Sequence, residues 1–394
     1  MSAPVSLHVL MAALLGVHLA GMGAFLTLPV LAPLIGAELG LPPALAGVHT
    51  GLLYAGALVS GPLAQDLLNR WGGVRTCQMA LVWIAGAIAI AAIGHPAALV
   101  ASSFLSGLGH GPVTPIGSHL LAARTPPARR GLVFSIKQTG VPAGAMLVAA
   151  VAPTVAVAAG WRAAVLTMAG FALAAALALQ PLRARLDADR DPGARVGWRG
   201  ATRSLGLLRT HARLRALTLM SAFFSVTQFT VFSFFVAWQV GVLGIPLVTA
   251  GLVLGLTQVA GIAGRIAWGL LADRYGAAPV LGVLGVAMAV AALLIALAGP
   301  GWPVALIAAL GMAVGATGIG WNGALLAETA RVAPAGQVGG ATAALGFVLA
   351  LTLIVAPAGQ AALADATGSY TPVFGLCVVL ALAGAWQARV LARG

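Results

Sequence analysis

Polar residues interrupt this chain only briefly, because one apolar run follows another from near residue 9 to near residue 390. A helix needs about 20 mostly apolar residues to cross the hydrocarbon core of a bilayer, roughly 30 Å thick. The runs lie near 9–33, 44–67, 76–94, 97–123, 131–155, 162–181, 216–240, 247–272, 279–298, 303–327, 338–360 and 371–390. That predicts an all-α membrane protein of twelve transmembrane helices. Only 7% of the residues are charged, against roughly 25% in soluble domains, and the mean hydropathy is +1.02. A soluble enzyme, a disordered chain and a secreted disulfide scaffold are excluded. The first run is too long for the apolar region of a cleavable signal and lacks a basic stretch before it, so it reads as span 1.

One long polar stretch, 182–215, carries nine arginines together with Asp187, Asp189 and Asp191. It divides the chain into two six-helix bundles, 1–181 and 216–394, joined by a central loop. All but Lys137, Arg162 and Arg265 of the 21 basic residues fall on the even-numbered connections or the C-terminal tail. Basic loops stay on the cytoplasmic side of a membrane, so both termini and the central loop are expected there. The excess of base is thus a matter of orientation, and no nucleic-acid partner is indicated. Cys77 and Cys377 are far apart and match no metal or redox spacing.

Within the spans, polarity is unevenly distributed. Spans 3, 6, 9 and 12 are nearly free of polar side chains, whereas the others carry His18, Tyr54, His110, Thr114, Lys137, Gln138, Thr227, Gln228, Gln258, Arg265, Trp321, Asn322 and Gln360. Polar groups in hydrocarbon are costly and turn toward a bundle interior or a wet cavity. Every third helix is therefore expected at the periphery, with the other eight around a central aqueous path.

A local repeat accompanies this pattern. Gly269-Leu-Leu-Ala-Asp273-Arg274-Tyr-Gly276 follows span 8, and Gln65 to Gly72, ending Asn69-Arg70-Trp71-Gly72, follows span 2. The two stretches stand 204 residues apart, at corresponding places in the two halves. The chain here resembles the major facilitator superfamily, whose motif between helices reads G-x-x-x-D-R-x-G. The second copy matches at every key position. In the first, Gln65 replaces the leading Gly and Asn69 the Asp, leaving Asp66 as a substitute acid. The resemblance implies two pseudo-symmetric bundles that rock about a central site. It also implies a cytoplasmic gate made by Gly269, Asp273, Arg274 and Gly276 with Asp66, Asn69, Arg70 and Gly72, in which Asp273 ties span 8 to span 11. The run from Arg130 to Gly144 is similar to a stretch common in bacterial uptake-type members of the superfamily.

Lys137 in span 5 and Arg265 in span 8 lie about 10–12 Å from the cytoplasmic boundary, at 1.5 Å per residue. The superfamily fold sets spans 5 and 8 side by side, which implies that both cations face one cavity and attract an anion. Gln138, Gln228, Gln258, Tyr54, His110, Trp321 and Asn322 complete the candidate substrate site, on helical stripes such as His110, Thr114 and Ser118. The eight acidic residues all fall at loops or helix ends, which weakens a reading as a proton-driven exporter of cationic drugs. His18 and His110 are the candidates for carrying a proton. His49, His95 and His119 lie nearer the helix ends and receive no role. Trp71, Trp161, Trp302 and Trp386 suit the membrane interface.

These observations predict a secondary active transporter of the bacterial inner membrane, acting as a monomer by alternating access on a small organic or inorganic anion, carboxylate-like, with proton coupling in view. The alternative is an efflux transporter of neutral or amphipathic compounds. Neither an enzyme's nucleophile and base nor a metal cluster is evident at one depth, and no Walker-type loop occurs. No cofactor is expected. The partners expected are the small-molecule substrate and the lipid bilayer.

Overall fold

The computed structural model describes residues 5–41 and 45–392, and among these the regular structure is helical throughout. Arg393, and the side chains of Arg199, Arg203 and Asp365, lie outside the described residues. Nine stretches among the described residues are long and apolar enough to cross a membrane. One of them, Pro127–Ala178, has 52 residues and would reach about 78 Å as a straight helix, more than twice the hydrocarbon thickness. It cannot be one span. Gly160 breaks it, with φ 84° and ψ 159°, a conformation that glycine adopts without a Cβ clash. Two further crossings are each made of two helices: Leu45–Ser60 with Ala64–Trp71, and Pro96–His110 with Val113–Ala122. Pro62 and Pro112 stand at those interruptions, where a missing N–H prevents an unbroken ladder. Dividing the long stretch and adding these two restores the twelve crossings expected.

The chain forms two compact units. The first comprises Met1–Thr125, Lys137–Thr210 and Ala333–Ile354, and the second Pro126–Ile136, His211–Val332 and Val355–Gly394. In the first, span 1 (Leu7–Leu39) begins at Ser6, whose hydroxyl accepts from the Val9 N–H, and ends at Gly40 with φ 65°. Span 1 packs along the first part of Gly140–Ala178. Gly140 and Gly144 permit that approach. A Cβ on Gly144 would come 2.5 Å from the Leu19 carbonyl oxygen, and one on Gly140 would come 2.7 Å from that of Leu15. Small residues four apart let two helices in lipid meet backbone to backbone. Leu28, Leu31, Ile35, Ile84, Ile88, Trp161 and Met168 fill the core beside this contact.

In the second unit the core gathers on Phe235, Trp238 and Phe374. The Phe235 and Trp238 rings stack at 5.7 Å, and Phe374 meets Trp238 edge-on at 5.5 Å. Large apolar side chains left exposed include Val82 and Trp83 on span 3, Leu177 on span 6, Val283 and Val290 on span 9, and Val379 and Trp386 on span 12. Exposed apolar side chains such as Val100, Met146, Leu252 and Val355 are equally present on spans expected to be central, so exposure does not single out every third helix. Trp161 stands beside the helix break at Gly160. It is buried in the apolar core, and its indole N–H donates to Glu38 Oε2 at 2.7 Å. Glu38 also pairs with Arg162 at 2.6 Å.

Gly144→Leu should therefore lower the thermal unfolding midpoint of the purified protein, by a loss of about 1–3 kcal/mol from overpacking. Gly16→Ala, on the same pair of helices but with no atom within 4 Å of a Cβ, should leave the midpoint unchanged or raise it. Equal midpoints for wild type and Gly144→Leu would contradict the packing account.

Candidate functional site

At the arginine-rich helix ends the repeated motif meets backbone N–H groups. The first N–H groups of a helix have no partner within it, and an anion placed there is stabilised by those donors and by the helix dipole. The helix Arg130–Gln138, which opens span 5, presents two such groups. Asp273 answers both: Oδ1 accepts from the Gly131 N–H at 2.6 Å and Oδ2 from the Leu132 N–H at 2.8 Å. Span 8 is thus joined to span 5 and not, as expected, to span 11. Arg274 takes no part in this contact, since its guanidinium lies 5.2 Å from the Tyr275 ring centre.

Glycine makes the approach possible. A Cβ on Gly269 would lie 2.6 Å from the Gly131 carbonyl oxygen and would also collide with Ser135 Oγ. A Cβ on Gly323 would meet Ser135 as well. A cleft of about 270 Å³ opens beside the carboxylate, lined by Arg130, Asp273, Gly276, Glu328 and Arg331 among others. Glu328 and Arg331 form an ion pair there.

The first copy solves the same problem without a charge. Asn69 stands 204 residues before Asp273, and its Oδ1 accepts from Gln65 Nε2 at 2.9 Å. Gln65 Oε1 in turn accepts from the Gly340 N–H at 3.0 Å, at the start of span 11. Gln65, read in the sequence as a departure from the motif, is the capping group. Asp66 is not the substitute acid, since its Oδ2 accepts from the Gly197 N–H of the central loop at 3.2 Å. Arg70 donates to the Ala194 carbonyl at 2.9 Å, so this copy also binds that loop.

Gly72 and Gly276 have the same φ of 87°, with ψ of 163° and 147°. The repeat is therefore one of backbone conformation as well as of letters. Asp187, which sequence reasoning passed over, lies beside Gly72 and caps span 3 through the Val74 and Arg75 N–H groups at 2.8 and 2.9 Å. Burial pushes its carboxyl up while those two bonds pull the other way. The unpartnered helix start after Gly72 was the available signal for this acid.

Deeper in the first unit, Lys137 is fully buried. Its ammonium lies 3.4 Å from the Thr114 carbonyl oxygen, and a Cβ on Gly117 would sit 3.0 Å from its Nζ. Thr114 Oγ1 lies 3.3 Å from His18 Nε2, and His18 Nδ1 lies 3.0 Å from the Leu14 carbonyl. Lys137, Thr114 and His18 thereby gather from spans 5, 4 and 1. Tyr54 and His110 meet instead at Phe25, the first edge-on at 6.0 Å and the second stacked at 5.8 Å. The stripe of His110, Thr114 and Ser118 is interrupted by Gly111 and Pro112. Gln138 is buried beside Lys137 in sequence.

In the second unit Arg265 is buried, 1% exposed, on the helix Leu247–Tyr275. Gln228 and Asn322 are brought together, the Asn322 amide donating to Gln228 Oε1 at 3.0 Å. Trp321 is buried edge-on against Phe224 at 6.0 Å and donates to the Gly318 carbonyl at 3.0 Å. A π-helical turn at Gly315–Ile319 precedes it. Gln258 Oε1 is buried with no hydrogen-bond partner among the described residues.

Comparison with known proteins agrees with this architecture. The sequence profile of the Major Facilitator Superfamily matches residues 13–357. The chain belongs to the major facilitator superfamily. An uncharacterised MFS-type transporter of Mycobacterium tuberculosis, strain CDC 1551 / Oshkosh, is 29% identical over 249 residues, covering 58% of this chain and 52% of that protein. The matched stretch thus spans about half the length of that relative.

The crystal structure of a human organic anion transporter superposes with a TM-score of 0.78 at 18% identity, covering 98% of this chain and 100% of that one. That of the fucose:proton symporter of E. coli gives 0.76 at 14%, covering 98% and 99%. A bacterial homologue of the iron transporter ferroportin in an outward-facing state gives 0.75 at 13%, covering 98% and 100%. At these identities the likeness is one of fold. This superfamily member therefore has the multi-pass, twelve-helix, two-domain fold.

Asp273→Ala should leave the Gly131 and Leu132 N–H groups without an acceptor, at a cost of about 1–3 kcal/mol. Hydrogen exchange at the start of the 130–138 helix should accelerate at least about fivefold, since 1.36 kcal/mol is a factor of ten. Asp273→Asn, which keeps one acceptor, should fall between. Unchanged exchange in the alanine variant would remove Asp273 from this role.

Proposed function

We propose that this transporter carries a small anion by alternating access, and that Arg265 and Lys137 are the groups that attract it. The observation that supports this reading is the burial of both cations within apolar spans. A charge in that setting is costly and is kept where it serves a substrate or ion path. Lys137 has three N–H donors, and the Thr114 carbonyl supplies a long contact for one of them. An anionic ligand with several acceptor oxygens complements the donors that remain. Arg265 offers a planar fork suited to a carboxylate or a tetrahedral oxyanion.

The distribution of acids supports the same sign. Glu38, Asp66, Asp187, Asp189, Asp191 and Asp273 stand at helix ends or in connections, and Glu328, inside the helix Asn322–Val332, is paired with Arg331. A cationic substrate would want one of them in mid-membrane. Gln138, Gln228, Gln258 and Asn322 supply neutral hydrogen bonds, with Gln258 Oε1 still to be satisfied. Tyr54, His110 and Trp321 add aromatic walls. Breaking and remaking the contacts at Asp273 and Gln65 accompanies the change of access, with the arginine-rich ends facing the cytoplasm in the bacterial inner membrane.

In proteoliposomes Arg265→Ala and Lys137→Ala should each lower uptake of a radiolabelled small carboxylate at least tenfold, while the purified variants remain monodisperse and unfold cooperatively. Wild-type uptake by both variants would discard this assignment. Drug resistance on expression, without anion flux, would point to export of amphipathic compounds.

A further inference from the structure

Span 3, the helix Gly73–Ala91, carries a groove along one face. Arg75, Met79, Val82, Gly86 and Ile90 line it at steps of four, three, four and four residues, the spacing that keeps side chains on one side of a helix. Trp83 and, from span 4, Leu105 form its wall. The groove measures about 580 Å³, within the roughly 300–1,000 Å³ of ligand sites. From Arg75 to Ile90 it runs about 22 Å at 1.5 Å per residue. One leaflet's share of the hydrocarbon core is shorter, roughly 15 Å.

The lining is apolar except at its arginine end. Met79, Val82 and Trp83 are exposed, and the Trp83 indole N–H is already satisfied, donating to the Leu105 carbonyl at 2.8 Å. Gly86 keeps the groove open, since a Cβ there would have no atom within 4 Å. At the other end the Gln78 amide is committed to span 6, donating to the Ala176 carbonyl at 3.0 Å and to Gln180 Oε1 at 2.9 Å.

Arg75 is the exception. A guanidinium has five N–H donors, and among the described residues the Arg75 side chain makes one hydrogen bond, a long one of 3.5 Å to Gln78 Oε1. No ion pair joins it to an acid there. The adjacent carboxylate, Asp187, is occupied by the Val74 and Arg75 backbone N–H groups, and Arg183 and Arg190 also act on it. Three arginines thus gather about one acid, which leaves this end of the groove cationic.

We propose that the groove holds one anionic phospholipid from the leaflet at the arginine-rich helix ends, with its phosphate on Arg75 and an acyl chain laid along Met79, Val82, Gly86 and Ile90. Guanidinium and phosphate form paired, charge-assisted hydrogen bonds. Basic pockets among spanning helices select anionic headgroups in this way, and the surplus positive charge disfavours a headgroup that carries its own cation. The lipid fastens the start of span 3 where Gln78 ties it to span 6 and Asp187 ties it to the central loop. None of this depends on which solute is carried.

The test is native mass spectrometry of the full protein, purified, stripped of lipid in detergent and titrated with dioleoylphosphatidylglycerol or dioleoylphosphatidylcholine. The wild type should retain one phosphatidylglycerol at concentrations where phosphatidylcholine is lost. Arg75→Gln should weaken that first binding step about fivefold, the worth of one basic residue at an anionic surface. Gly86→Leu should weaken it at least as much by filling the groove, while its unfolding midpoint without lipid stays at or above that of the wild type, because leucine favours a helix more than glycine does. Arg389→Gln, in the last turn of span 12, should bind as the wild type does. Equal affinity for the two lipids, unchanged binding in either groove variant, or an equal loss in Arg389→Gln would overturn the proposal. Displacement of the lipid by inorganic phosphate alone would overturn it too, by showing that the acyl chain contributes nothing.

Discussion

A polar group taken into lipid has no water to fall back on, and the whole arrangement follows from that constraint. Helix starts are where the backbone is most exposed to it, because their N–H groups have no intrahelical acceptor. The chain meets the need with side chains supplied from elsewhere. Asp273 serves Gly131 and Leu132, Gln65 serves Gly340, and Asp187 serves Val74 and Arg75. His95 serves its own helix through the Ala97 N–H. Acids are thus used at helix ends, where dipole and donors reward them, and mid-membrane charge is reserved for Lys137 and Arg265.

The two copies of the motif divide the work unequally. Charge-assisted hydrogen bonds are roughly twice as strong as neutral ones, so the Asp273 carboxylate grips span 5 more firmly than the Gln65 amide grips span 11. In the first copy, polar groups freed from that duty bind the central loop through Asp66 and Arg70. The pseudo-symmetry is therefore one of backbone, seen in the matching φ of Gly72 and Gly276, while the side chains have diverged. On the proposed reading, two contacts of different strength would let one access state be favoured over the other.

The crossings were legible in the sequence because burial in lipid demands long apolar runs, and the breaks at Gly160, Pro62 and Pro112 follow from residue types with local effects. The capping residues were less legible. That Asp273 would bind something at a helix end could be read from its motif, but its acceptor role toward span 5 depends on which helix start is brought beside it, 142 residues away. Gln65 looked like a loss and proved to be the cap. The buried contacts of His49 with Phe25 and Ser103, 24 and 54 residues distant, follow no spacing rule. The pairing of Gln228 with Asn322 was likewise invisible along the chain.

The account's central claim, that buried cationic groups select an anion, is tested most directly by ligand-dependent thermal unfolding of the purified protein. Binding to the folded state raises its stability by RT ln(1 + [L]/Kd). Small carboxylates or oxyanions should raise the midpoint of the wild type in a saturable way and leave Arg265→Ala unmoved. Stabilisation by organic cations alone, or equal stabilisation of both proteins by anions, would contradict it.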